Sequence, residues 1–207
     1  QEVPPWWAPP LARAAGADWA RTVLTSRNLL LPLRRAIATR RPDLLKSNGG
    51  GANAVLVRTG AGVVVDHRRT TLTRCPERRV AQAVALRGGA AAELTAGRTL
   101  WVANLHASQA IPVARARADG RRAADWLLGL SAGGASILGG DLNDREPTLS
   151  PLRVVASRSV DHVLAGPGLT GAGDGHTLRR ARSVDGLTRR LSDHPPLRVT
   201  VLRPGGR

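Results

Sequence analysis

Acids, amides and imidazoles recur in this chain at the ends of apolar runs, where short polar side chains can converge on one spot. Five segments carry them: QEV at 1–3, NLH at 104–106, GGDLND at 139–144, SVDH at 159–162 and LSDHPPL at 191–197. In GGDLND the glycines let the backbone turn tightly. Asp141 and Asn143, two apart in extended chain, then project to the same side. A carboxylate placed there can align or deprotonate a water while the amide donates to a phosphoryl oxygen. The same six residues also suit an Asx-rich turn that only caps a strand.

LSDHPPL sets an acid beside an imidazole, ahead of two prolines that favour extended backbone. Asp193 can bind a divalent cation through oxygen and His194 can contact a phosphate, although a solvated turn has the same composition. Asp161 lies in an apolar strand, where an unpaired carboxylate is costly. A histidine that it holds in one tautomer explains it, and His194 is the nominee. Asn104 and His106 share one side of a strand end. His106 is therefore a candidate general acid to a leaving oxygen, or a histidine satisfied by local hydrogen bonds. Glu2 precedes Val3 and a proline turn, as a strand-end metal ligand would, although a chain terminus is ordinarily frayed and exposed.

The elements that must position these groups are mostly strands. Apolar or alternating runs predict strands over 18–25, 52–58, 63–66, 70–74, 79–87, 100–105, 159–164 and 197–202, with Ile137-Leu138 leading into GGDLND. A short helix follows the prolines at 4–16, a second covers 29–45 with a break near Pro42, and the clearest runs from Pro112 to Leu130. The segment 166–190, rich in Gly, Arg and Asp, reads as a long surface loop beside the site. Many strands, few helices and short connections describe an α/β or α+β sandwich rather than an alternating doubly wound fold. At 207 residues the chain suits a single domain.

Thirty-one Lys plus Arg against 15 Asp plus Glu give a net charge of +16, which attracts polyanions such as nucleic acid or an anionic membrane surface. Lys46 is the one lysine, and Phe, Tyr and Met are absent, so compositional bias toward Arg contributes to that charge. The single cysteine, Cys75, excludes an internal disulfide and a cysteine-based zinc site. No apolar stretch approaches the roughly 18 residues that cross a bilayer. The chain begins at Gln1 without a methionine, so it carries no information on targeting or compartment.

Taken in order, QEV, NLH, GGDLND, SVDH and LSDHPPL resemble the endonuclease/exonuclease/phosphatase superfamily over nearly the whole chain, from Glu2 to His194. The resemblance implies a four-layered α/β sandwich, with two packed, mostly antiparallel sheets, outer helices and the site at one edge. It implies Glu2 as principal Mg²⁺ ligand, with Mn²⁺ as the alternative ion, and Asp193 as a second ligand. Asp141 would activate the water, Asn143 would hold the phosphate, and Asp161 with His194 would form the acid-histidine couple. His106 matches a position that the family fills with histidine or tyrosine. The family pattern also begins with an asparagine-bearing strand ahead of the QE motif. On that basis the domain over 1–207 is expected to be N-terminally truncated, with an unpaired sheet edge and poor activity of its own.

The expected activity is Mg²⁺-dependent hydrolysis of a phosphate ester by a monomer, with nucleic acid the first choice of substrate. A phospholipid or small phosphate ester is the alternative, for which Trp6 and Trp7 beside Glu2 would supply an apolar rim. A catalytically silent, basic nucleic-acid-binding domain is the third. SNGGGAN at 47–53 suits a strand-entry turn and PERR at 76–79 suits alternating surface charge, although either could meet a phosphate. His67 and His176 have no partner identifiable from sequence.

Overall fold

A computed structural model describes residues 1–25, 30–41, 51–109, 111–173, 175–179, 181–184, 187–190 and 194–205. In chain order its elements are α1 (Ala8–Ala15), β1 (Ala17–Leu24), α2 (Leu31–Arg40), β2 (Ala52–Arg58), β3 (Val63–Thr73), β4 (Arg79–Arg87), α3 (Gly89–Thr95) and β5 (Leu100–His106). There follow α4 (Val113–Ser131), β6 (Ser136–Asp141), β7 (Arg153–Arg158) and β8 (Asp161–Ala165). Six short strands complete the order: β9 (Thr170–Gly171), β10 (His176–Thr177), β11 (Ala181–Val184), β12 (Leu187–Arg190), β13 (Leu197–Arg198) and β14 (Val201–Leu202).

The main sheet has six strands in the order β3-β4-β5-β6-β8-β7. Neighbours run antiparallel except β5 and β6, which are parallel and joined through α4. Alternation along each strand gives the sheet two apolar faces. On one, Ala81, Ala83, Ala103, Leu105, Leu138 and Leu164 pack with Ala116, Ala123, Ala124 and Leu127 of α4. The alanines on both partners let the helix come close. On the other face, Val84, Leu86, Leu100 and Ala165 pack with Val57 of β2, joined by Trp19 of β1. The antiparallel β1–β2 pair therefore lies against the main sheet, and α1 packs on β1 and β2, which makes the layers helix, sheet, sheet, helix. Asn104 Nδ2 donates to Ala54 O (3.0 Å) and Asn53 Nδ2 to Val80 O (3.1 Å), so amides cross-link the two sheets.

The structure departs from the sequence-based expectations in five places, one of them the strand expected over 197–202, which is two strands, β13 and β14, paired in different sheets. The pieces at 63–66 and 70–74 are one strand, β3, because an edge strand accommodates charged residues and its two bulges absorb the irregular pattern. α3 begins within Gly88-Gly89, a pair that reads as a turn. Gly89 is needed there because a Cβ would collide with the Gly60 carbonyl, and Thr95 Oγ1 closes the helix on Ala91 O (2.8 Å). β7 is charged at both ends and pairs only at the sheet edge. The 166–190 segment is not one loop: β9 pairs with β14, β10 with β13 and β11 with β12. Two of those pairings join residues far apart in sequence, which local patterns do not encode. The Pro42 break and the first part of SNGGGAN lie outside the described residues.

Leu138 is fully buried between its sheet neighbours and α4. Leu138→Ala is expected to lower unfolding free energy by about 2–5 kcal/mol in urea denaturation. Val63→Ala, at an exposed edge position, should change it by less than about 0.5 kcal/mol. Equal effects from the two would disprove this placement of the core.

Candidate active site

Strand direction assembles the site. Because β5 and β6 are parallel neighbours, His106 and Asp141, the last residue of each, sit opposite one another. Because β8 runs antiparallel to β6, its first residue, Asp161, sits opposite Asp141 from the other side. Alternation puts all three on the face shared with Asn104 and the inter-sheet core, while Leu105 and His162 point the other way. His162 thus differs in role from its neighbour: it is 1% exposed, and its Nε2 lies 2.7 Å from Asp144 O.

Gly140 precedes Asp141 at φ 146°, and a Cβ there would run into the Leu105 carbonyl. Only glycine meets both conditions. After Asp141 the chain turns through Asn143 at φ 49°, in the left-handed region that asparagine tolerates. That turn lets Asn143 N donate to Asp141 Oδ1 (2.8 Å) and Asn143 Nδ2 to Ala107 O (3.3 Å). Leu142, between them, is buried in the core on the α4 side.

His194 Nδ1 lies 2.7 Å from Asp161 Oδ2 and 4.0 Å from Asp141 Oδ2. His106 Nε2 lies 3.7 Å from Asp141 Oδ2. Asp141, 7% exposed, is therefore flanked by two imidazoles and a second carboxylate. Burial pushes its carboxyl above the usual aspartate range. The Asp161 charge adds to that rise, while the Asn143 N–H and the charges of His194 and Arg79 oppose it. A cleft of about 270 Å³, lined by Gln1, Gly140, Asp161, His194, Pro195 and Pro196 among others, opens beside the row.

Val3 pairs with Ala52 through two backbone hydrogen bonds (2.9 and 3.1 Å), and Gln1 Nε2 donates to Asn104 Oδ1 (2.8 Å). These contacts bring Glu2, which is exposed at φ 53°, to the site. Asp141, Asp161 and His194 offer ligand atoms within 4.8 Å of one another, among them the carboxylate oxygens that a hard divalent ion requires. The residues present thus fit a metal.

Of the groups singled out from sequence, His106, Asp141, Asn143, Asp161 and His194 come together, Glu2 is exposed next to the Gln1 that bonds Asn104, and Asp193 lies outside the described residues. The Asp161–His194 pairing inferred from sequence is present. Arg79 has a different place from the surface assigned to PERR. It is 5% exposed, its Nη2 donates to Glu77 Oε2 (2.8 Å), and its charge acts on Asp141. Its buried Nε has no partner among the described residues. The one sequence signal for that burial was its position at the first residue of an apolar strand.

No protein-family profile matches the chain, and no curated protein matches it. Solved structures do. The human Nocturnin catalytic domain, solved with a bound sulfate anion, superposes with a TM-score of 0.64 at 18% identity, covering 98% of this chain and 79% of that one. Caenorhabditis elegans TDP2 gives 0.67 at 14% identity, covering 98% and 62%. An endonuclease/exonuclease/phosphatase family protein from Bacteroides thetaiotaomicron gives 0.58 at 17% identity, covering 75% and 69%. The chain has the sandwich fold of these proteins.

The raised pKa of Asp141 has a definite sign in stability. Between the unfolded pKa of aspartate and the raised folded value, the native state holds more protons. This group's contribution therefore falls as pH rises through that window, and above it the ionised carboxylate is a net cost. In EDTA, Asp141→Asn is expected to be at least as stable as wild type at neutral pH, and that advantage should shrink on acidification through the window. Urea denaturation across pH checks it. A variant less stable than wild type at neutral pH would contradict the account.

Proposed function

We propose that the chain is a metal-dependent phosphoric ester hydrolase, a nuclease or phosphodiesterase that directs water in line at phosphorus. The observation that carries this reading is the His106–Asp141–Asp161 row with His194 held on Asp161. In this mechanism the Asp141 carboxylate takes a proton from the attacking water. Its raised pKa makes it a better base than a solvated aspartate, and the Asn143 N–H fixes the oxygen not used. The Asn143 amide holds a phosphoryl oxygen.

Asp161 accepts a hydrogen bond from His194 Nδ1, which orients the ring. His194 then stabilises charge on the pentavalent phosphorus. His106 gives a proton to the leaving oxygen. The Arg79 guanidinium, buried beside the row, adds positive potential where anionic charge develops. Glu2 and Asp193 would hold Mg²⁺ or Mn²⁺, which when bound neutralises negative charge on the phosphoryl oxygens.

The net charge of +16 favours a polyanionic substrate over a small one. One feature favours the phospholipid or small-ester alternative: a groove of about 730 Å³ lined by Pro5, Trp6, Leu31, Pro32 and Ala36 with Arg35, which suits an apolar or aromatic group. The third reading, a silent binding domain, needs none of the residues that the row brings together.

Plasmid DNA and bis-p-nitrophenyl phosphate are expected to be hydrolysed with Mg²⁺, slowly by this chain, and spared in EDTA. His194→Ala should lose about a hundredfold or more in turnover while unfolding cooperatively. Near-wild-type turnover by that variant would sink the site assignment. Anionic phospholipid vesicles hydrolysed faster than DNA would favour the groove. DNA binding that weakens with salt, with no hydrolysis of any ester, would assign the chain to binding alone.

A further inference from the structure

Asp119 lies in the middle of α4, is 0% exposed and belongs to none of the five motifs. A carboxylate removed from water at that depth is tolerated only when its lone pairs are filled. Four donors fill them: Thr73 Oγ1 (2.7 Å) and Arg122 Nη1 (3.0 Å) on Oδ1, and Ser108 N (2.9 Å) and Ser108 Oγ (2.6 Å) on Oδ2. Two of the four come from the residue that stands two positions after His106.

The Ser108 N–H belongs to the same peptide group as the Ala107 carbonyl. The unit is planar and trans, so its N–H and C=O point in opposite directions. One end is held by Asp119. The other accepts Asn143 Nδ2 at 3.3 Å, and Ala107 N donates to Asp141 O at 2.9 Å. The peptide is thus clamped between a buried carboxylate on the helix side and the phosphate-holding amide on the site side. A charged acceptor on the N–H polarises the peptide and makes its carbonyl a stronger acceptor. That carbonyl also decides which way the amide is turned, because Asn143 Oδ1 in the same place would oppose a second acceptor. One N–H of Nδ2 is spent on Ala107, which leaves the other for a phosphoryl oxygen.

We infer that Asp119 is a positioning residue of the hydrolytic site, acting through the Ala107–Ser108 peptide to orient and polarise the Asn143 amide toward phosphate. The inference rests on the hydrolase reading for its kinetic consequence and on geometry alone for the clamp. Thr73 marks the contrast: it satisfies the same carboxylate but touches no part of the site.

The test uses Asp119→Ala, Asp119→Asn and Thr73→Val in the full chain, alone and combined with Asn143→Ala. Asp119→Ala is expected to lower kcat/KM for bis-p-nitrophenyl phosphate on the order of tenfold. Asp119→Asn, which retains a neutral acceptor, should fall between it and wild type. It also stands in should the alanine variant fail to fold. Thr73→Val should cost stability and leave kcat/KM unchanged. In the Asn143→Ala background, loss of Asp119 should have no further effect on kcat/KM, because the two act in series. Losses that multiply in the double variant would overturn the proposal and leave Asp119 a purely structural residue. NMR signals of the Asn143 side-chain amide supply a second readout independent of turnover. They should shift in Asp119→Asn and not in Thr73→Val, and unchanged signals in Asp119→Asn would also overturn it. If wild type hydrolyses no ester, the hydrolase reading fails while the NMR comparison still decides the clamp.

Discussion

Asp141 and Asp161 occupy directly opposed positions on β6 and β8, and like charges placed so across an antiparallel pair repel. The groups around them serve to hold that arrangement. His194 approaches both carboxylates, the Asn143 N–H binds one oxygen of Asp141, and the buried Arg79 charge bears on the same group. The compensation is incomplete, since burial and the neighbouring acid still keep Asp141 reluctant to ionise. An incompletely compensated pair of acids stabilises a cation, or a proton, better than it stabilises itself. The fold tolerates that cost because the row stands at a strand end backed by a well-packed sheet.

Much of this was legible in the sequence, for physical reasons. Strands β2 and β4 announce themselves as apolar runs bounded by glycine, proline or charge, and were read at 52–58 and 79–87 as they occur. The Asp161–His194 pairing follows from the cost of leaving a carboxylate unpaired in an apolar strand. Hidden from sequence was whatever depends on register. Nothing local states that residues 106, 141 and 161 are opposite one another, because that follows from which strands are neighbours and in which direction they run. Arg79 was hidden for a related reason: PERR has the composition of a solvated turn, and only the packed sheet takes its last residue out of water. Asp119 lay inside the clearest predicted helix, and no motif pointed to it.

The two faces of the main sheet divide the labour. The α4 face is built from alanine and leucine and holds the strands in place. The inter-sheet face is apolar away from the site and amide-rich toward it, where Asn53 and Asn104 reach across to main-chain carbonyls. Main-chain partners fix these amides more rigidly than flexible side chains would, so Asn104 can in turn anchor Gln1 and the backbone that presents Glu2. Adjacent residues Asp161 and His162 illustrate the division: one joins the acid–imidazole row, the other braces the Asp144 carbonyl behind it.

The parallel pairing of β5 with β6 has a consequence for how the chain reaches this state. Two parallel neighbours cannot be joined by a tight turn, so the intervening chain must pass through α4 before His106 and Asp141 meet. Asp161 and His194 arrive from still later segments, and Glu2 from the other terminus. Contacts of such long sequence separation form only after much loop-closure entropy has been lost, which places them late in folding. These groups therefore meet only in the finished topology, and no single strand pair carries them all.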